Sequence, residues 1–164
     1  MNKILLIITG SIAASKCKEI ITLLNINDVK INCIITEEAK KYIKISDIKK
    51  LLKNRIFTDE DEKKNKMLHI NLSRDNDIIV VCPATANSIA KFANGYGDNL
   101  ASNTLLASNK KILFVPAMNS FMWHNKINQK NVRLLKDSGH EFIGPKIGNL
   151  KCGEFGLGRI DNSK

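Results

Sequence analysis

Asn119 lies in the stretch Pro116-Ala117-Met118-Asn119-Ser120-Phe121-Met122-Trp123, an amide among large apolar side chains. The stretch follows the apolar run Ile112–Val115, which reads as a buried strand ended by Pro116. Open α/β sheets bind ligands at the carboxyl ends of their strands. An amide set in an apolar wall orients an organic ligand by a few polar contacts while the wall holds its body. Taken alone, a loop of this length after a strand is more often a plain packing turn.

Other candidates have their own chemistry. Thr9-Gly10-Ser11-Ile12-Ala13 places backbone N–H groups and a hydroxyl at a helix start behind the first strand, an arrangement suited to a phosphate. It is not a GxGxxG fingerprint, so a mononucleotide is favoured over a dinucleotide. Pro83-Ala84-Thr85-Ala86-Asn87-Ser88 follows another strand and opens a helix, again facing hydroxyls and N–H groups toward an anion. By itself that segment reads more readily as a proline-initiated, capped helix. His69 can accept and return a proton near pH 7, although a lone histidine before a strand is usually structural. His124 and His140 match no pattern and are read as structural. Gly148–Arg159 is glycine-rich and carries Cys152, which suits a mobile lid with a thiol or, more plainly, a frayed tail.

The elements that must position these groups alternate. Lys3–Ile8 is a predicted strand, and Ser11 caps a helix to Leu24. Val29–Ile35 is the second strand, ending at Thr36. Glu37–Tyr42 reads as a short helix with acids in its first turn, 46–54 as another helix, and 58–66 as a solvated loop. After His69–Leu72 come the strand Asp77–Val81, a helix over 84–93 with Gly95 as C-cap, and a helix over 98–108. Ile112–Val115, the helix Ile127–Asp137 stopped by Gly139, and the short strand Glu141–Ile143 complete the series. Strands separated by helices specify one α/β domain, a doubly wound, Rossmann-like parallel sheet of flavodoxin-like order with helices on both faces.

Composition narrows the function classes. The 164 residues suffice for one core, and no apolar run approaches the roughly 18–20 residues of a membrane helix. The four cysteines (Cys17, Cys33, Cys82, Cys152) form no CxxC pair, so neither a metal site nor a disulfide scaffold is indicated, and a reducing, cytoplasmic setting is expected. The net charge of +10 invites nucleic acid, but the lysines are dispersed and only two Tyr and one Trp offer stacking faces. Such a charge also attracts small phosphorylated ligands.

Residues 116–123 closely resemble the PxMNxxMW motif of the homo-oligomeric, flavin-containing cysteine decarboxylases. That family includes enzymes of coenzyme A synthesis and lantibiotic peptide decarboxylases. Gly10-Ser11-Ile12-Ala13 resembles its flavin-contacting turn, and Pro83–Ser88 its PASANT motif, with Thr85 and Ser88 keeping the hydroxyls. His69 falls where the family has its active-site histidine, and Leu150-Lys151-Cys152-Gly153-Glu154 resembles its substrate clamp, with Lys151 for Ala and Glu154 for Asp. The resemblance runs from Lys3 to Arg159.

It implies FMN bound by Gly10, Ser11, Ile12, Thr36, Thr85, Ala86, Asn87, Ser88 and Ala117, with Asn119 and Met122 on the substrate. His69 and Cys152 become the catalytic pair, and no metal is needed. The implied reaction is decarboxylation of 4′-phosphopantothenoyl-L-cysteine to 4′-phosphopantetheine in coenzyme A biosynthesis, through transient oxidation of the cysteine. A single domain over 1–164, with 147–159 as a mobile clamp, is expected to assemble as a homotrimer or dodecamer, with FMN near subunit contacts. The phosphopantothenoylcysteine synthetase is expected on a separate chain. The alternatives are a peptidyl-cysteine decarboxylase that stops at the enethiol, whose clamp lacks the cysteine, and a non-catalytic flavin-binding regulatory subunit.

Overall fold

Four hydrophobic segments, too short for buried helices and rich in Ile and Val, and a short fifth one pair side by side in the computed structural model, which describes residues 3–26, 29–52 and 56–161. They are β1 (Lys3–Ile8), β2 (Lys30–Ile35), β4 (Ile78–Ala84), β5 (Ile112–Pro116) and β6 (Glu141–Phe142), with a two-residue strand β3 (Ile56–Phe57) at the far edge. The sheet order is β3-β2-β1-β4-β5-β6, all parallel. The five strands expected from sequence thus run in the flavodoxin-like order, and β3 extends it to a six-stranded Rossmann order. Strand β3 went unforeseen because two residues carry no period.

Each face of the sheet has its own core. Leu5, Ile7, Ile79, Val81, Ile112 and Phe114 face one, which is covered by α4 (Leu68–Asp75), α5 (Ala86–Ala93), α6 (Leu100–Leu106) and α8 (Lys126–Asp137). Leu6, Ile8, Ile31, Cys33 and Ile35 face the other, covered by α1 (Cys17–Ile26) and α2 (Ile45–Leu51). The alternation of adjacent residues between two buried faces is what a central parallel strand requires. Among the described residues no helix is long and apolar enough to cross a membrane.

Sequence expectation and structure part at several places. Ile12–Lys16 is a 3-10 turn before α1 begins, and Glu37–Lys41 is likewise 3-10. The segment expected as a solvated loop, 58–66, contains the helix α3 (Asp59–Lys64). Its reason is local: the Asp61 carboxylate accepts from Thr58 N (2.9 Å), closing a capping box. Four acids then fill its first turn and two lysines its last, both favourable to the helix dipole. His69, read only as preceding a strand, lies within the helix α4 that leads into β4. Pro83 does not start a helix: β4 continues through it to Ala84, and Thr85 caps α5 by accepting from Ser88 N. The last part of the helix expected over 46–54 falls partly outside the described residues. The glycine-rich segment after β6 is a hairpin, β7 (Lys146–Asn149) with antiparallel β8 (Phe155–Arg159).

His140 is structural, as its lack of any pattern suggested. Its Nδ1 accepts from Ile112 N (3.2 Å), and its ring packs against Phe92 and Phe114. An accepting Nδ1 must be unprotonated, and burial lowers the His140 pKa below the ordinary histidine value. The folded state therefore binds this proton less well than the unfolded chain. Stability is complete above the unfolded pKa of about 6.5 and declines as pH falls from there toward the folded value. We expect melting temperature to drop as pH falls below about 6.5. His140→Gln, which keeps an acceptor but not the titration, should flatten that part of the profile measured by calorimetry.

Candidate active site

The carboxyl ends of β1, β2, β4 and β5 deliver four loops to one edge of the sheet, and side-chain and backbone bonds tie them together. Thr9 Oγ1 donates to Pro83 O (2.6 Å), Thr36 N to Ile8 O (3.1 Å), and Ala117 N to Ala84 O (3.1 Å). The result is a cavity of about 450 Å³ lined by Gly10, Ser11, Thr36, Thr85, Ala86, Asn87, Ser88, Ala117 and Met122, among others. That volume falls within the usual range for small-ligand pockets, roughly 300–1,000 Å³. Residues drawn from motifs far apart in sequence are thus neighbours in space.

Local sequence explains the wall. Ser11 Oγ accepts from Ala13 N (3.2 Å) and Thr36 Oγ1 from Ala39 N (3.3 Å), so each strand is turned sharply into a helical segment by its own hydroxyl cap. Gly10 is required by close approach: a Cβ there would lie 2.5 Å from the Glu38 Cβ. At α5 the Thr85 hydroxyl serves Ser88 N, while the Ala86 and Asn87 amides have no intrahelical acceptor and sit at the cavity wall. Amides and hydroxyls there, with the positive end of the helix, fit a phosphate. Lys91 also lines the cavity and pairs with Asp98 (2.5 Å), holding the Asp98 carboxyl below its usual range.

A second cavity, of about 310 Å³, lies between the Ser11–Lys16 turn and the β7–β8 hairpin. It shares Ser11, Ala117 and Met118 with the first and contains Ile12, Asn119 and Cys152. Ile12 therefore faces this cavity and not the first, whereas Met122 lines the first and not this one. The 120–124 segment forms a one-turn helix, α7 (Ser120–His124), capped by Asn119. Asn119 Oδ1 accepts from Phe121 N (2.8 Å) and Met122 N (3.4 Å). With its oxygen so used, the amide cannot turn over, and Nδ2 must point outward. There it donates to the Glu154 carboxylate (2.5 Å) and lies 3.6 Å from Cys152 Sγ. The amide is thus demonstrably aimed at a carboxylate beside a thiol.

The hairpin is held by Met118 N donating to Gly158 O (3.1 Å). Any side chain at Gly158 would collide with the Met118 carbonyl. Cys152 is exposed, whereas Cys17, Cys33 and Cys82 are buried. The contact with Cys82 raises the Cys17 pKa, with burial adding to it, and burial alone raises that of Cys33, so both thiols stay protonated. Among the described residues no group of His, Cys, Asp or Glu gathers that could hold a metal.

His69 lines neither cavity. Its Nδ1 is buried 2.7 Å from Glu62 Oε1, without the alignment of a hydrogen bond. Glu62 in turn stands near Asn103 Nδ2 (3.4 Å), in a shallow depression that shares Asn99 with the first cavity. Thr9, Glu38, Lys91, Asn99, Ser102 and Met118 line the sites but were not read as site residues. Asn99 had a legible signal: its Oδ1 accepts from Ser102 N (2.8 Å), the N-x-x-S spacing of a capping box.

Hydroxyl-capped loops around a phosphate-sized cradle at the carboxyl edge define a mononucleotide-binding α/β protein. The Flavoprotein family profile matches residues 1–164, and the chain belongs to that family. It is 35% identical over 163 residues to the probable phosphopantothenoylcysteine decarboxylase of Streptococcus mutans, covering 97% of this chain and 91% of that protein. It is 33% identical to the coenzyme A biosynthesis bifunctional protein CoaBC of Bacillus subtilis over 98% of this chain, but spans 40% of that relative. Among solved structures, a PPC decarboxylase mutant complexed with pantothenoylaminoethenethiol superposes with a TM-score of 0.87, at 29% identity, over 98% of this chain and 91% of the other. The FMN binding protein AtHal3 gives 0.86, at 29% identity, over 98% and 90%.

The Met118–Gly158 contact makes a direct test. Gly158→Ala should detach the hairpin and leave the sheet folded. Trypsin should then cleave after Lys151 at least about tenfold faster, with the far-ultraviolet spectrum unchanged.

Proposed function

We propose that this protein is an FMN-dependent decarboxylase whose substrate is 4′-phosphopantothenoyl-L-cysteine and whose product is 4′-phosphopantetheine. The observation that carries the reading is the Asn119 amide, locked by its own capping bonds, presenting Nδ2 to a carboxylate beside the Cys152 thiol. The relatives named for phosphopantothenoylcysteine decarboxylation support it, as does FMN binding by a structural neighbour.

The first cavity fits the cofactor. The α5 amides, Thr85, Ser88 and Ser11 would hold its phosphate, while Ile7, Val81, Ala117 and Met118 supply apolar wall for its ring system. Bound there, FMN supplies a reversible two-electron sink, without which loss of carbon dioxide would leave an unstabilised carbanion. The substrate's cysteine end takes the second cavity, with Asn119 Nδ2 on its carboxylate in the place now held by Glu154. Met122, on the cofactor side of the shared wall, shapes the approach between the two. Residues 147–159 act as the clamp: the hairpin covers the reacting carbon, excludes water and brings Cys152 in to deliver a proton. A thiol at that point favours a full cycle to the saturated product over a reaction that stops at the enethiol.

His69 is proposed to act on the thiol-side proton from across a contact between copies of the chain, since it does not reach the cavities of its own chain. Apolar side chains on the outer surface support assembly: Phe121 is 79% exposed, Phe155 74% and Met122 49%. A homotrimer or dodecamer remains the form we propose, with a synthetase of coenzyme A formation as functional partner.

Mass spectrometry of the FMN-loaded protein with phosphopantothenoylcysteine tests this reading. A product lighter by carbon dioxide alone is expected. Cys152→Ser should instead accumulate a product lighter by carbon dioxide and two hydrogens. Release of the fully reduced thiol at the normal rate by that variant would remove Cys152 from its role. Asn119→Asp should lower kcat/KM at least about a hundredfold while FMN stays bound, because a carboxylate would face the substrate's own.

A further inference from the structure

Beyond the hairpin cleft lies a third cavity, of about 440 Å³, lined by Ser15, Lys18, Lys40, Lys41, Tyr42, Ile43, Lys44 and Asp47. Ser15 lines both cavities, so they meet at that residue. The wall holds four lysines and one acid. Lys18 pairs with Asp47 (2.6 Å), Lys40 with Glu37 (2.5 Å), and Lys41 with Glu38, the latter two acids standing outside the cavity. Asp47 is held below the usual carboxylate range by Lys18 first, then also by Lys50 and Lys44. With Glu37, Glu38 and Asp47 each paired to one of them, the four lysines leave a small net positive charge at a basin with a phenol, Tyr42, on its rim.

The cleft that holds Asn119 and Cys152 extends along the Ser11–Lys16 turn before reaching Ser15. At about 2 Å per residue, the 3-10 segment sets the basin on the order of 10 Å from the Ser11 end. A ligand with its carboxylate and thiol at Asn119 and an anion at the basin must therefore carry an extended arm between the two. A phosphate monoester fits the donor set: a compact dianion can draw lysines of the wall from single-charge carboxylate partners, exchanging one charge-assisted bond for another.

We infer that the Lys18, Lys40, Lys41 and Lys44 basin binds the terminal phosphate of the substrate, making it the subsite that distinguishes a phosphorylated small molecule from a cysteine-terminated peptide. The inference rests on the proposed decarboxylase reading for the orientation of the substrate. It assigns the cofactor's own phosphate elsewhere, since the basin meets the hairpin cleft and does not share a lining residue with the cofactor cavity.

The test compares binding of 4′-phosphopantetheine and pantetheine to the FMN-loaded protein by calorimetry. Wild type should prefer the phosphorylated form at least about tenfold, since a hydrogen bond to a charged group contributes about that much. Lys40→Ala/Lys44→Ala should bring the ratio toward one, and Lys44→Glu should do so alone, with FMN retention unchanged in both. In parallel, inorganic phosphate titrated against the amide resonances should move those of residues 40–44 in wild type and not in Lys44→Glu. A wild-type ratio near one, an unchanged ratio in the variants, loss of FMN from them, or silent resonances would each overturn the inference. Failure of the decarboxylase reading is separate: phosphate preference and resonance shifts would persist while the mass assay showed no loss of carbon dioxide.

Discussion

The site depends on hydrogen bonding that continues past the ends of the parallel strands. Within the sheet, ladder bonds fix β1, β2, β4 and β5 in register. At the carboxyl edge, where the ladder should fray, Thr9 donates to Pro83 O, Thr36 N to Ile8 O, and Ala117 N to Ala84 O. Thr9 and Thr36 are themselves buried, so these bonds are made in low dielectric and their loss would leave unpaired polar groups. Four loops that would otherwise be independent become one rigid row. Both cavities inherit their shape from that row.

Rigidity at the edge contrasts with the way the hairpin is attached. Among the described residues, the hairpin joins the sheet edge by the Met118–Gly158 bond and by side-chain bonds from Asn119 to Cys152 and Glu154, and both of those residues are exposed. A bond to a charged group contributes roughly 1.5–3 kcal/mol at most, and exposure to water reduces it. An incoming carboxylate can therefore replace Glu154 at little cost, because one charge-assisted bond is exchanged for another. The hairpin carries both the occupant of the amide and the thiol, so displacing the first repositions the second. Substrate entry and thiol placement become one event.

How far this was legible in the sequence follows the length scale of each signal. Long buried strands such as Lys3–Ile8 and Ile112–Val115 announced themselves through continuous apolar runs, and the cap at Ser11 through residue type. The helix Asp59–Lys64 was hidden because its sequence is wholly polar, so periodicity had nothing to report; only the Thr58–Asp61 spacing betrayed it. The hairpin was hidden by its glycines, which suggest mobility until the close approach of Gly158 to Met118 is seen. The flavin-loop residues matched by resemblance do converge on one cavity, apart from Ile12. Lys91 and Glu38 join them only through tertiary packing, which no local pattern encodes.

The two adjoining cavities share Ser11, Ala117 and Met118, and this common wall constrains the chemistry more than any single side chain. A ligand in one is separated from a ligand in the other only by groups that lack acid–base function apart from a capped hydroxyl. In the reading proposed above, proton donors therefore arrive from outside the wall: Cys152 on the hairpin, and His69 from a neighbouring copy. On that reading the division would keep the cofactor cavity fixed while the proton-delivering groups come and go with the substrate. An architecture with the thiol built into the sheet edge would expose it to the cofactor at all times. Placing it on a hairpin held by an exchangeable carboxylate would, on the proposed reading, couple proton delivery to occupancy of the Asn119 amide.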